Sequence, residues 1–175
     1  MLSKPILEKL NHQVNLEFFS SNLYLQMSAW CNAHGLEGCS QFLRLHSEEE
    51  KMHMYRLFDY INETGSLAVL GAISAPGTEY KSVIDVFEKI YKHECNITKA
   101  INELVDIALA EKDYSTFNFL QWYVSEQHEE EHLFLSIMEK AKMIGTEGRG
   151  LFHLDMEMKK MSQQRTATGP SGPAV

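Results

Sequence analysis

Four stretches of this 175-residue chain place apolar residues at intervals of three and four over roughly 28 residues each, the period of an α-helix with one buried face. The first runs from Pro5, where a helix can start, to about His34, and Gly35 and Gly38 end it. The second runs from about Glu37 to Thr64 and stops at Gly65, the third from about Ser82 to Ala110, and the fourth from Tyr114 to Ile144, stopping at Gly145. Helices of similar length bury their apolar faces most simply against one another, so the expected class is all-α and the architecture a four-helix bundle.

The links between the stretches are unequal. Two are a few residues long, but Ser66 to Ser82, SLAVLGAISAPGTEYKS, contains Pro76 and clusters of small residues and has no period. A helix of this length is about 42 Å long, and a fully extended segment of that size reaches about 56 Å. The segment is therefore long enough to cross the bundle from end to end, which would set helices two and three parallel. Beyond Gly145, the run LFHLDMEMKKM, Leu151 to Met161, has the pattern of a short fifth helix. The final RTATGPSGPAV cannot support a core, so residues 1–163 are read as one domain and 164–175 as a disordered tail.

A formal charge of −8, from 24 acids against 16 Lys and Arg, leaves no basic stripe for phosphates and argues against a nucleic-acid partner. Cations are the better-matched guests. Cys31, Cys39 and Cys95 have no C-x-x-C spacing and suggest neither a disulfide framework nor a thiolate zinc site; a reducing cytoplasm suits them. The N-terminus lacks an apolar core of signal-peptide length, and no run of membrane-spanning length occurs, so the expectation is neither export nor membrane insertion.

At about 100° per residue, each helix carries a seven-spaced inward stripe. These are Leu10, Glu17 and Tyr24 on the first helix, and Leu43, Glu50 and Leu57 on the second, with His46 and His53 alongside and Glu49 on the flank. The third carries Phe87, Glu94, Ile101 and Ala108, and the fourth Leu120, Gln127, Phe134 and Ala141, with Val124 and Met138 beside them and Glu130 roughly 60° off the centre of the stripe. An offset of 77 residues carries Glu17 to Glu94, Glu49 to Glu126, Glu50 to Gln127 and His53 to Glu130, so the two helix pairs are chemically in register.

Burying an ionised carboxylate costs several kcal/mol unless a partner compensates. No Lys or Arg shares these stripes, since Arg44 and Lys51 fall off the inward phase of the second helix. The positive charge is expected to come from outside the chain. Carboxylates with one imidazole and no thiolate suit a first-row divalent ion, and shared carboxylates can bridge two of them, so a dinuclear iron site is the economical reading. The rival is a metal-free helical scaffold whose polar core residues only specify helix register.

The runs YLQMSAW, EEKMH at Glu49 to His53, YKHE ending at Glu94, and NFLQWYVSEQHEEE resemble the bacterial non-haem ferritins over roughly residues 5 to 163. Glu17, Glu94 and Glu50-x-x-His53 match the ferritin-like di-iron pattern, while Gln127-x-x-Glu130 stands where the general pattern has Glu and His. The resemblance implies that Glu17, Glu50 and His53 hold one iron and Glu50, Glu94 and Glu130 the other, with Glu50 bridging and Gln127 a polar neighbour. It implies a third iron near Glu49, Glu126, Glu129 and Glu130, a redox role for Tyr24, and iron oxidation with dioxygen or peroxide followed by storage in a homo-oligomeric shell of twenty-four copies. Glu129-x-x-His132 is out of phase with the core and is rejected as the dinuclear site; Glu131, His128 and His132 are read as a solvated face and Trp122 as packing. Haem is not expected, because Lys51 stands where a haem-ligating Met would, and Met52 is read as packing. Leu16, Phe19, Leu23 and Trp30 form an apolar face of the first helix that subunit contacts would cover.

Overall fold

Local capping sets where the helices begin. In the computed structural model, which describes residues 2–145 and 147–168, α1 spans Lys4–Ala33, α2 Glu37–Glu63, α3 Val83–Ala110, α4 Tyr114–Ile144 and α5 Arg149–Thr168. The Ser3 hydroxyl accepts from the Ile6 amide ahead of α1, Ser82 from Asp85 ahead of α3, and Asp113 from Thr116 ahead of α4. Gly145 ends α4 at φ 79°, a backbone conformation that costs glycine little. The start of α2 has no cap of its own; the Asp155 carboxylate of α5 accepts from the amides of Gly38 at 3.0 Å and Cys39 at 2.8 Å.

Cross-helix contacts give the topology. Ser21 and Ser47 exchange hydroxyl-to-carbonyl hydrogen bonds of 2.7 and 2.8 Å between α1 and α2, and Ser28 donates to the Ser40 carbonyl, so the two helices run antiparallel. Lys9 meets Glu103 near one end of α1 and Ser20 meets His93 further along, which makes α3 antiparallel to α1 and parallel to α2. Gln127 and Glu131 of α4 reach Glu94 and Thr98 of α3. The segment between α2 and α3 starts beside Asn11, whose side chain accepts from the Val69 amide at 2.6 Å. It continues past Asn15, which accepts from Gly71 at 2.7 Å, and ends where Tyr80 packs edge-on to Trp30. It is the full-length crossover expected from its length.

All the seven-spaced stripe residues are buried. Leu10, Leu57, Ile101 and Leu120 belong to one apolar cluster, and Tyr24, Phe42, Phe87 and Phe134 to a second. The polar residues of the stripes lie between these clusters in sequence, so the core is two oily halves separated by a polar layer.

Three expectations need correcting. The fifth helix does not end at Met161, and Gln164 to Thr168, assigned to the tail, continue it as α5 folds back along α2 and α4. Helix continuation there is favoured because Ser162 is buried and Arg165 finds partners in the bundle. The rest of the tail, 169–175, lies outside the described residues. Met52 is 57% exposed rather than packed, and Val124 is at the surface while Tyr123 takes the buried place beside the stripe. One residue's difference on a helix is about 100° of phase, enough to move a side chain from core to solvent.

Candidate metal centre

The middle turn of each bundle helix delivers its polar stripe residue to one layer. Glu17, Glu50, His53, Glu94, Gln127 and Glu130 are all buried. Glu17, Glu50 and His53 each offer a ligand atom within 4.8 Å of the others. His53 Nδ1 stands 3.4 Å from Glu50 Oε2, and Gln13, one turn before Glu17, donates its amide to Glu17 Oε1 at 2.7 Å. Burial, reinforced by the Glu50 charge, holds the Glu17 carboxyl well above its ordinary range. Burial works the same way on Glu50, but the adjoining imidazolium outweighs it and lowers that carboxyl. Against its own desolvation, His53 is pushed up to about 10 by Glu50 and Glu17. Glu17 Oε2 has no hydrogen-bond partner.

Glu94 is held differently. The Tyr24 hydroxyl donates to Glu94 Oε1, and Gln127 Nε2 donates to Oε2 at 2.9 Å. Burial nevertheless raises its carboxyl to about 7. His93, the neighbour of Glu94, turns back to Ser20 at 2.7 Å and packs edge-on to Tyr24.

Glu130 joins a second group, in which His46, Glu49 and Glu130 have ligand atoms within 4.8 Å of one another. His46 Nδ1 lies 3.3 Å from Glu49 Oε2 and 3.6 Å from Glu130 Oε2. Burial lifts Glu130 well above the carboxylate range and drives His46 well below the imidazole range. Arg165 reaches in from α5, with Nη1 3.2 Å from Glu49 Oε2 and Nη2 3.6 Å from Glu130 Oε1; the guanidinium also donates to His46. The interior therefore does contain a cation, contrary to the reading of the stripes. It comes from the helix that the sequence pattern cut short.

Of the other acids expected to hold a third ion, Glu126 Oε1 lies 3.9 Å from His53 Nε2, at the edge of the first group. Glu129 is exposed and lines a cleft of about 470 Å³ together with Glu126, Glu130, His132 and Arg165. His132 thus borders the site, whereas His128 stays exposed and Glu131 accepts from Thr98 at 2.5 Å. Trp122 packs edge-on to His53 with ring centroids 5.2 Å apart and carries the Arg56 guanidinium 4.6 Å above its own ring. Sequence reasoning missed Gln13, His93 and Arg165. Gln13 could have been found as the residue four before Glu17 on the same helix face.

A helical bundle with one long crossover, whose buried middle layer gathers carboxylates and imidazoles able to hold a metal ion, has the architecture of the ferritin-like class of bundle. Residues 7–144 match the family model described as the ferritin-like domain. The chain belongs to the ferritin family. It is 58% identical over 162 residues to a probable bacterial non-heme ferritin-like protein of Haemophilus influenzae, covering 93% of this chain and 98% of that one. A bacterial non-heme ferritin of Escherichia coli is 52% identical over 164 residues, 94% of this chain and 99% of the other. Among solved structures, Chlorobium tepidum ferritin superposes with a TM-score of 0.82 at 60% identity, over 91% of this chain and 98% of that one. An open-pore ferritin from Archaeoglobus fulgidus gives a TM-score of 0.89 at 44% identity, with 91% and 98% covered.

Proposed function

We propose that the chain is a subunit of an iron-storing ferritin that oxidises Fe(II) to Fe(III) and retains the product as a ferric mineral inside a shell of identical copies. The observation that carries this reading is the buried layer in which Glu17, Glu50 and His53 face one another while Glu94 and Glu130 stand on the opposing helices. Glu17, Glu94 and Glu130, whose carboxyls burial raises, stand beside the ionised Glu50 as a site for a cation, because a divalent ion can displace their protons and neutralise the group together. In this reading Glu17, Glu50 and His53 take one iron and Glu50, Glu94 and Glu130 the other, Glu50 bridging. Gln127 and Tyr24 hold Glu94 in place from both of its oxygens. Each Fe(II) gives up one electron to dioxygen or peroxide, and Tyr24 is positioned to pass a further one. Glu49, Glu126, Glu129 and Glu130 lie on the route by which ferric product leaves for the store.

Assembly follows the family in this reading, as twenty-four copies in the cytoplasm. Leu25, Leu67, Val69 and Leu70 are exposed on α1 and the crossover, and neighbouring copies would cover them.

The test is to load apoprotein with Fe(II) without oxygen and then admit air. Rapid ferric colour in soluble, protein-held form is expected, and Glu50→Ala or Glu130→Ala should slow the fast phase by roughly a hundredfold or more while leaving the assembled mass unchanged, the loss expected when transition-state contacts disappear. Precipitation at the buffer-only rate, or unchanged kinetics in both variants, would reject the proposal.

A further inference from the structure

The guanidinium of Arg165 sits where an ion would sit. It faces His46, Glu49 and Glu130, and arginine has only donors to offer, so the groups turned toward it present lone pairs. Those lone pairs are what a divalent metal needs. Yet the carboxylates are held by charge rather than by directed hydrogen bonds: Glu49 Oε2 lies 3.2 Å from Arg165 Nη1 without hydrogen-bond geometry, Glu130 Oε2 is buried without a hydrogen bond, and the Glu130 contact to Arg165 is 3.6 Å. The donor rides on the last turns of α5, a helix fastened at its other end by Asp155 on the start of α2.

We propose that Arg165 is a built-in counter-ion of a divalent-cation pocket formed by His46, Glu49 and Glu130, and that a metal ion entering this pocket displaces the guanidinium and releases the end of α5. The proposal rests on the iron-binding reading of this layer and adds to it a histidine ligand and a competitor from within the chain. The pocket then has two mutually exclusive occupants. While Arg165 is in, the acids are neutralised and the inner position is weak for metal; when metal is in, the end of α5 is free to move over the cleft it lines with Glu126 and Glu129.

Co(II) tests this without oxidation chemistry, since its visible absorption reports binding and its equilibrium titration counts sites. In Arg165→Gln, one class of site per chain should bind at least roughly tenfold more tightly than in the wild type, because a unit charge within about 4 Å is removed. The sites at Glu17, Glu50 and His53 should keep their affinity, and adding His46→Ala should abolish the gain. Arg165→Lys should stay close to wild type. Amide hydrogen exchange on the intact assembly should show residues 162–168 exchanging faster once Co(II) saturates the wild type, and fast from the outset in Arg165→Gln. Equal Co(II) affinity in wild type and Arg165→Gln, or an α5 end whose exchange ignores the metal, would overturn the proposal while leaving the dinuclear site standing. Absence of Co(II) binding at every site in both proteins would overturn both readings.

Discussion

Glu94 shows how one buried acid sets pH behaviour. Its carboxyl titrates near 4.5 in an unfolded chain and near 7 when folded, so between those values the folded state binds the extra proton. Its contribution is therefore fully present below about 4.5 and is lost as pH rises through about 7, a change on the order of 3 kcal/mol. His53 adds in the same direction at higher pH, its stabilisation being complete below about 6.5 and lost as pH approaches about 10. In the metal-free protein the stability that Glu94 contributes should accordingly fall as pH rises from 5 to 8, and Glu94→Gln should remove that share from the pH dependence of the melting temperature below 7. Calorimetric scans of the two apoproteins decide it; parallel curves would refute the assignment. Divalent metal at pH 7.5 should restore the wild-type melting temperature, since the ion takes over the role of the lost proton.

Among the elements, α5 has the least expected role. Asp155 supplies the cap that α2 lacks, and Gly38 lets α5 come close: a Cβ there would lie 1.9 Å from the Asp155 carbonyl oxygen. Asp155→Ala should cost about 1–2 kcal/mol, the usual worth of a helix cap, and lower the melting temperature by several degrees. Gly38→Ala should lift α5 from α2 while the four long helices stay intact, seen as unchanged circular dichroism with faster proteolytic cleavage between Arg149 and Arg165. Protection of α5 equal to wild type would show that the helix is held elsewhere. The extent of α1 to α4 was readable from apolar period and capping residues, because both act within one turn. The extent of α5 was not, since its last turns are polar and their stabilisation comes from partners on other helices, His46 and Glu49 among them more than a hundred residues away.

At the scale of the whole molecule, the subunit presents an apolar outer surface along the crossover. The crossover carries Leu67, Val69 and Leu70 in the open beside α1, whose Leu16, Phe19 and Leu23 are only partly covered. Leu70→Arg, on a residue 53% exposed, should leave the fold and the Co(II) sites of the subunit unaltered but shift native mass from a large shell to small species. A full-size shell from that variant would place the subunit contacts on another face.

The polar layer is legible in the sequence alone, because Glu17, Glu50, Glu94 and Gln127 share helical phase with apolar neighbours seven residues away, and phase is a property of one helix at a time. Which acid meets which partner was not legible. Glu94 is taken by Tyr24 and Gln127, and Glu130 turns toward His46 and Arg165, outcomes that depend on how separate helices dock and on rotamers chosen in the packed interior. Periodicity records only which side of a rod is buried; the distances between rods, and so the charge that each buried acid feels, come into being when the helices pack.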